Sequence, residues 1–336
     1  MYKASMLITA LIAFGVTAVS GIWLIPYLRR LKYGQTILDI GPNWHKSKQG
    51  TPTMGGFMFI LGITIAVVTG FSLAVSGDSE LLGNYGRVIS IRMISGIVMA
   101  SAFSLIGFAD DYVKVSKKRN LGLTARQKLV MQFLVAAVYL WTLYSGGDRS
   151  TVVQFPFWGQ VDFGLLSYPL CAVGIVYIVN SVNLTDGLDG LASSVTFVAS
   201  LGFMVMADLL KLFPISLLAV ATAAACLGFL VWNFYPAKVF MGDTGSMYLG
   251  GLIVALAFGI GMPMILIFTG IIYIVESMSV VLQVISFKST GKRIFKMSPI
   301  HHHFEMSGYN EVQIVLGFSA VTLIGVVLAV MSIFRL

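Results

Sequence analysis

The sequence predicts an all-α polytopic integral membrane protein. It has about ten transmembrane helices, both termini outside and one small extracytoplasmic β-hairpin. Three observations predict this. Of the 336 residues, 57% are hydrophobic and only 11% charged, where a soluble domain carries roughly 25% charged residues. Apolar runs of about 17–25 residues recur, the length of a helix that crosses a bilayer core. The charged residues gather between those runs, and sixteen of the 22 Lys and Arg fall in alternate loops.

The first span lies near 4–28 and ends at Pro26 and Arg29-Arg30. It is long for a signal peptide and lacks a small-residue cleavage site, so it reads as a retained helix. The second, near 54–76, is opened by the glycine-rich string GTPTMGG; the third, near 89–109, closes on Asp110-Asp111. The fourth, near 125–145, follows a cluster of lysines and arginines. Thr151–Phe163 then alternates apolar and polar residues around Trp158-Gly159, the pattern of a short β-hairpin on the outer surface. Spans near 165–182, 190–207, 214–232, 246–262, 264–287 and 312–334 complete the set, with short linkers. Glycines such as Gly250-Gly251 suit close helix packing in lipid.

Orientation follows from the positive charges, which favour the cytoplasmic side. With the N-terminus outside, the inner loops hold the sixteen and the outer side holds six. The formal charge of +8 is therefore a topology signal, and no nucleic-acid partner is expected. Cys171 and Cys226 fall inside apolar runs without paired spacing, which argues against a disulfide or zinc site. The whole chain, 1–336, reads as one transmembrane domain whose active site is formed by the cytoplasmic loops.

The reactive residues stand at inner span ends. Carboxylates and imidazoles beside a bilayer are expensive and tend to be functional. Asp110 and Asp111 can hold Mg²⁺, take a proton or orient a basic group; a solvated pair beside Lys114, Lys117 and Lys118 is the alternative. A helix C-terminus disfavours anions, so the pair needs a nearby cation. In NSVNLTDGLDGLA, Asn183, Asp186 and Asp189 recur every third residue, while Gly187 and Gly190 favour a turn. In NFYPAKVFMGDTGS, Asp243 lies between Gly242 and Gly245, free to approach a metal or phosphate or to cap the next helix. His301, His302 and His303 form an internal run after Ser298-Pro299. Three successive residues cannot all face one metal, so one or two are expected to face phosphate or metal and the rest to orient them. Lys48 precedes GTPTMGG, which can cradle phosphate but is not a Walker A motif.

Taken together, GTPTMGG, GFADDY, NLTDGLDGLA, FMGDTGS and SPIHHHFE resemble one superfamily closely, across nearly the whole chain. They are similar to the polyprenyl-phosphate N-acetylhexosamine-1-phosphate transferases. GTPTMGG and SPIHHHFE point to their phospho-N-acetylmuramoyl-pentapeptide-transferase branch. The resemblance implies transfer of phospho-N-acetylmuramoyl-pentapeptide from its UDP-activated form to undecaprenyl phosphate, yielding lipid I and UMP in peptidoglycan biosynthesis. It also implies a bacterial plasma membrane location, a cytoplasmic site, Mg²⁺ and a homodimer.

Carried onto this chain, the resemblance makes Asp243 the Mg²⁺ contact. Asp110 and Asp111 engage the lipid phosphate or the metal region. Lys48, Asn183, Asp186 and His301 hold diphosphate and sugar. Asp189, Phe240 and Lys118 form the uracil pocket. Asn180 and Asn233, which open their two strings, and His302 and His303 join the substrate-binding set. Catalysis is assigned to Asp110, Asp111, Asp243 and His301. Direct in-line attack by the lipid phosphate competes with a phospho-enzyme on Asp243, and the direct route is preferred. Two other readings remain: a sibling transferase using UDP-N-acetylglucosamine, and a secondary transporter. A transporter would carry charges near the bilayer midplane, where Glu276 is the main acidic residue.

Overall fold

A computed structural model of the chain describes residues 2–31, 48–77, 84–117 and 121–335. Helices dominate. They are α1 (Tyr2–Arg30), α2 (Phe57–Gly77), α3 (Asn84–Ser116), α4 (Ala125–Ser145), α5 (Ser167–Thr185), α6 (Leu191–Leu209), α7 (Phe213–Asn233), α8 (Gly242–Gly259), α9 (Leu266–Thr269), α10 (Ile271–Thr290), α11 (Ile300–Glu305) and α12 (Glu311–Ile333). The predicted hairpin is present as β1 (Val152–Phe155) and β2 (Gly159–Asp162), with Val152 opposite Asp162 and Phe155 opposite Gly159. Trp158, at its tip, is 89% exposed.

Nine helices among the described residues are long and apolar enough to cross a membrane, so the chain is an integral membrane protein. The eighth predicted span is α8, which falls outside that set for a physical reason. It opens on Gly242-Asp243-Thr244-Gly245-Ser246 and is buried along nearly its whole length. A helix walled in by other helices has no lipid to satisfy. The ninth predicted span is broken at Gly270, leaving short α9 ahead of α10.

Local chemistry sets several helix starts. Thr124 and Gln127 form a reciprocal capping box at α4, as do Asn310 and Gln313 at α12. In the last turn of α1, Arg29 and Arg30 complement the helix dipole. The buried face of α1 is Ser5, Thr9, Ala13, Thr17 and Gly21 at four-residue intervals, then Ile25. This small-residue stripe brings α2 and α7 close. The Trp232 indole N–H donates to the Ala18 carbonyl at 2.7 Å across that seam.

The centre of the bundle is the α3–α8 pair, with α5 on its flank. Their backbones nearly touch. A Cβ on Gly251 would come within 2.6 Å of the Ala100 Cα, and one on Gly107 would strike the Asp243 carbonyl. The two helices that carry the acids are thus seated backbone to backbone at these glycines.

Candidate functional site

The acids of α3 lie in the body of the helix rather than at its end. The sequence reading closes the third span at Asp110-Asp111, but α3 continues to Ser116 and carries Lys114 with it. Lys114 lies one turn after Asp110, and its Nζ sits 2.6 Å from Asp110 Oδ2. The cation that the pair requires is supplied by the same helix, and a second comes from the first turn of α4. Lys128 Nζ stands 2.6 Å from Asp243 Oδ2 and 3.4 Å from Asp110 Oδ2. Lys114 also reaches Asp243, at 3.2 Å.

Asp111 is committed elsewhere. The Asp243 N–H donates to its Oδ1 at 3.2 Å. The Thr244 N–H and hydroxyl donate to its Oδ2 at 2.9 and 2.7 Å. A buried carboxylate therefore satisfies the orphan amides that open α8, a favourable place for an anion. Asp243 itself is gripped from two sides. The Asn183 side chain donates to Oδ1 at 3.0 Å and to Ser246 Oγ at 2.7 Å, while the lysines hold Oδ2. Asp110 Oδ1 accepts the Leu123 N–H at 2.7 Å.

Asp110, Asp111 and Asp243 each place one oxygen within 4.8 Å of the others. Asp110 and Asp111 are buried, whereas Asp243, Lys114 and Lys128 keep partial solvent access. Three carboxylates against two ammoniums leave the cluster net negative. Hard oxygen donors drawn from two helices fit a small divalent cation that keeps waters and shares ligands with a phosphate.

Asp186 caps the end of α5 and faces this cluster. Its carboxyl is pushed well above the usual range, first by burial and then by the charges of Asp243, Asp111 and Asp189. Asp189 belongs to a second cluster. Lys48 Nζ lies 2.7 Å from Asp189 Oδ1 and 2.7 Å from Glu311 Oε2. The Asp189 N–H donates to Glu311 and the Ala237 N–H donates to Asp189 Oδ2. Lys48 thus ties the approach to α2, the turn after α5 and the start of α12 together.

The histidines form a third group. His301 Nδ1 lies 3.0 Å from Glu276 Oε1, and His302 Nδ1 lies 2.6 Å from Glu305 Oε2. His303 accepts the Lys296 backbone N–H on Nδ1 at 3.1 Å. The three rings do have separate partners, consistent with the rule that they cannot share one ligand.

The remaining candidates are placed as follows. Asn180 exchanges hydrogen bonds with Gln132 and is not among the partners of the acids. Asn233 accepts the Gly190 N–H and donates to the Val239 carbonyl, holding two loops together. Phe240 is half-buried, and its backbone pairs with Gly55 and Pro52. Lys118 lies outside the described residues. Four partners escaped the sequence reading as site members: Lys114, Lys128, Glu305 and Glu311. Lys114 carried a signal in its four-residue spacing from Asp110. Glu305 carried one too, three residues after His302. Lys128 and Glu311 carried none, because their partners are far away in sequence. Glu276 was noted only as an intramembrane acid, not as the partner of His301.

A polytopic bundle that gathers carboxylates and lysines from α3, α4 and α8 at one end defines a class: membrane-embedded glycosyl transferases. Residues 93–261, which run from α3 to just past α8, match glycosyl transferase family 4. The chain is 44% identical over 322 residues to the phospho-N-acetylmuramoyl-pentapeptide-transferase of Heliobacterium modesticaldum, covering 96% of this chain and 95% of the relative. The same-named protein of Halalkalibacterium halodurans is 43% identical over 331 residues, 98% of each. That of Bacillus subtilis is 42% identical over 335 residues, 99% of this chain and 98% of the relative. The chain belongs to the phospho-N-acetylmuramoyl-pentapeptide-transferase family of enzymes.

Proposed function

We propose that the chain transfers phospho-N-acetylmuramoyl-pentapeptide from its UDP-activated form to undecaprenyl phosphate. UMP leaves and lipid I forms, in a site facing the cytoplasm of a bacterial plasma membrane. The observation that carries this reading is the cluster of Asp110, Asp111 and Asp243 with Lys114 and Lys128. It offers both metal-type oxygens and phosphate-type cations at the end of a membrane bundle. The family resemblance adds the donor and acceptor.

Phosphoryl transfer demands positioning and charge neutralisation more than covalent help. Asp243, with Asp110 beside it, would hold Mg²⁺. A bound Mg²⁺ would neutralise charge on the transferring phosphoryl group. The lipid phosphate is a monoester with a second pKa near ~6, so at neutral pH it is largely dianionic and needs little help to attack. Lys114 and Lys128 neutralise its charge and that of the diphosphate, while Asp110 orients it. Asp111 acts through the backbone, fixing the first turn of α8 and so the Asp243 side chain. Being largely dianionic, the lipid phosphate can serve as its own nucleophile, which supports direct in-line attack with Asp243 as a metal ligand.

Asp189 and Phe240 serve the nucleoside, the role the resemblance also gives Lys118. Lys48, Asn183, Asp186 and His301 serve the diphosphate and sugar. His302 and His303 orient the histidine segment, Asn180 ties α5 to α4 through Gln132, and Asn233 braces the turn after α5 against the segment that leads into α8. The chain works as one transmembrane domain and as a homodimer.

The test uses purified protein, UDP-N-acetylmuramoyl-pentapeptide, undecaprenyl phosphate and Mg²⁺, reading UMP and the butanol-extractable lipid. UDP-N-acetylglucosamine runs in parallel. Product from the muramoyl donor alone is expected, lost with EDTA and reduced at least about 100-fold in Asp243→Asn. Turnover of only the N-acetylglucosamine donor would move the chain to the sibling reaction.

A further inference from the structure

His301 and Glu276 form a buried pair whose use the transfer reaction leaves open. Glu276 lies in the body of α10 and is 0% exposed; His301 lies in the first turn of α11 and is 1% exposed. One oxygen of Glu276 meets Nδ1 of the ring. The other oxygen, Oε2, and the other ring nitrogen, Nε2, have no hydrogen-bond partner. A buried carboxylate with an open oxygen is destabilising, and native structures keep such groups for a reason. Structural stability alone does not account for this one.

The direction of Nε2 supplies the reason. It is aimed at Gly187, so closely that a Cβ there would run into it. Gly187 belongs to the turn after α5, next to Asp186 and one helical turn beyond Asn183, which grips Asp243. The open nitrogen thus abuts, at a residue with no side chain, the turn whose Asp186 feels the charges of Asp243 and Asp111. Its neighbours differ. The His302 ring lies 4.2 Å away, centroid to centroid, and is itself held by Glu305. The His303 ring accepts a backbone N–H. Asp186 and Asp189 are the other charged groups on the facing turn.

We infer that Glu276 is a positioning residue that holds the Nδ1–H of His301, so that Nε2 is presented to the diphosphate of the sugar-nucleotide donor. This rests on the transfer reading above. A carboxylate on one imidazole nitrogen fixes which nitrogen carries the proton and orients the ring. It also stabilises the ring's positive charge when the opposite N–H donates to a phosphate oxygen. Glu276 touches no substrate and acts only through His301.

Two measurements test this on the full chain. The first is transfer by Glu276→Gln, His301→Gln and the double variant. Each single change is expected to lower kcat about 10- to 100-fold, with the donor KM within about threefold. The double variant should be no slower than His301→Gln alone, because residues that act as a unit are not additive. Multiplied losses, or a Glu276→Gln enzyme of full activity, overturn the proposal. The second is ¹⁵N-histidine NMR, tractable because the chain has only four histidines, with His301→Gln assigning the signal. Nδ1 should be protonated in the wild type and lose that preference in Glu276→Met. A wild-type His301 protonated on Nε2 alone overturns the proposal whatever the transfer assay shows. A wild type that transfers nothing removes the proposed function, and the NMR result still decides the pair.

Discussion

The two ends of the α3–α8 pair carry charge in opposite styles. At one end Arg92 bridges Asp148 through Nε and Nη2, both at 2.8 Å, and donates to the Gly259 carbonyl at the end of α8. The clasp is self-contained: one cation, one anion, one helix terminus. At the other end, roughly 27 Å along α3 at 1.5 Å per residue, no group has a single partner. Asp243 alone is shared by two lysines, an asparagine and the carboxylate that fixes its own backbone. The clasp joins helices. The shared cluster concentrates charge instead, and its Asp243, Lys114 and Lys128 keep partial access to solvent.

The contrast breaks first at Gly107. A methyl group there meets the Asp243 carbonyl, so Gly107→Ala should shift the acids of α3 and α8 relative to each other. Misplacement by about 1 Å can cost about 100-fold in rate, and transfer kinetics on folded protein would register it. Next comes Glu311→Ala, which strips Lys48 of one carboxylate and Asp189 of a backbone anchor. A loss of about 2–3 kcal/mol is expected from removing one member of a partly buried charged network, read as a lowered melting temperature.

Asp186→Asn should move stability the other way, and with pH. The raised carboxyl of Asp186 means that its protonated form suits the fold and its charged form does not. That stabilisation is complete below the ordinary carboxylate value of 3.8 and is lost as pH rises through the raised value. The amide imitates the protonated form at every pH. Metal-free Asp186→Asn should therefore melt a few degrees above wild type at pH 8, with the gain vanishing at pH 4. A constant difference across pH would sink the charge argument. The smallest effect belongs to the clasp. Arg92→Gln should lower stability by about 1 kcal/mol or less and leave transfer unchanged, which separates the two ends functionally.

Much of this was legible in the sequence because lipid imposes a simple rule on it. Apolar length located the spans, and alternation around Trp158-Gly159 located the hairpin. The acids were legible because they interrupt that rule. Their partners were harder to read. Lys128 and Asp243 are 115 residues apart, and Lys48 and Glu311 are 263 apart; no local periodicity links such pairs. The extent of α3 was misjudged for a related reason. Hydropathy stops at Asp110, but the helix continues to Ser116 and brings Lys114 back onto Asp110 one turn later.

The near-complete burial of α8 also bears on how the chain is made. Measured by hydropathy, α8 is too polar at its start to qualify as a membrane span, and inserting a carboxylate-bearing segment alone is unfavourable. The long helices packed on it, α2, α3, α5, α6 and α7, all precede it in the chain. When the ribosome delivers α8, the walls of its slot have already been synthesised. The helix that carries Asp243 can enter the bilayer by docking into protein rather than by dissolving in lipid, so the order of synthesis is also an order of assembly.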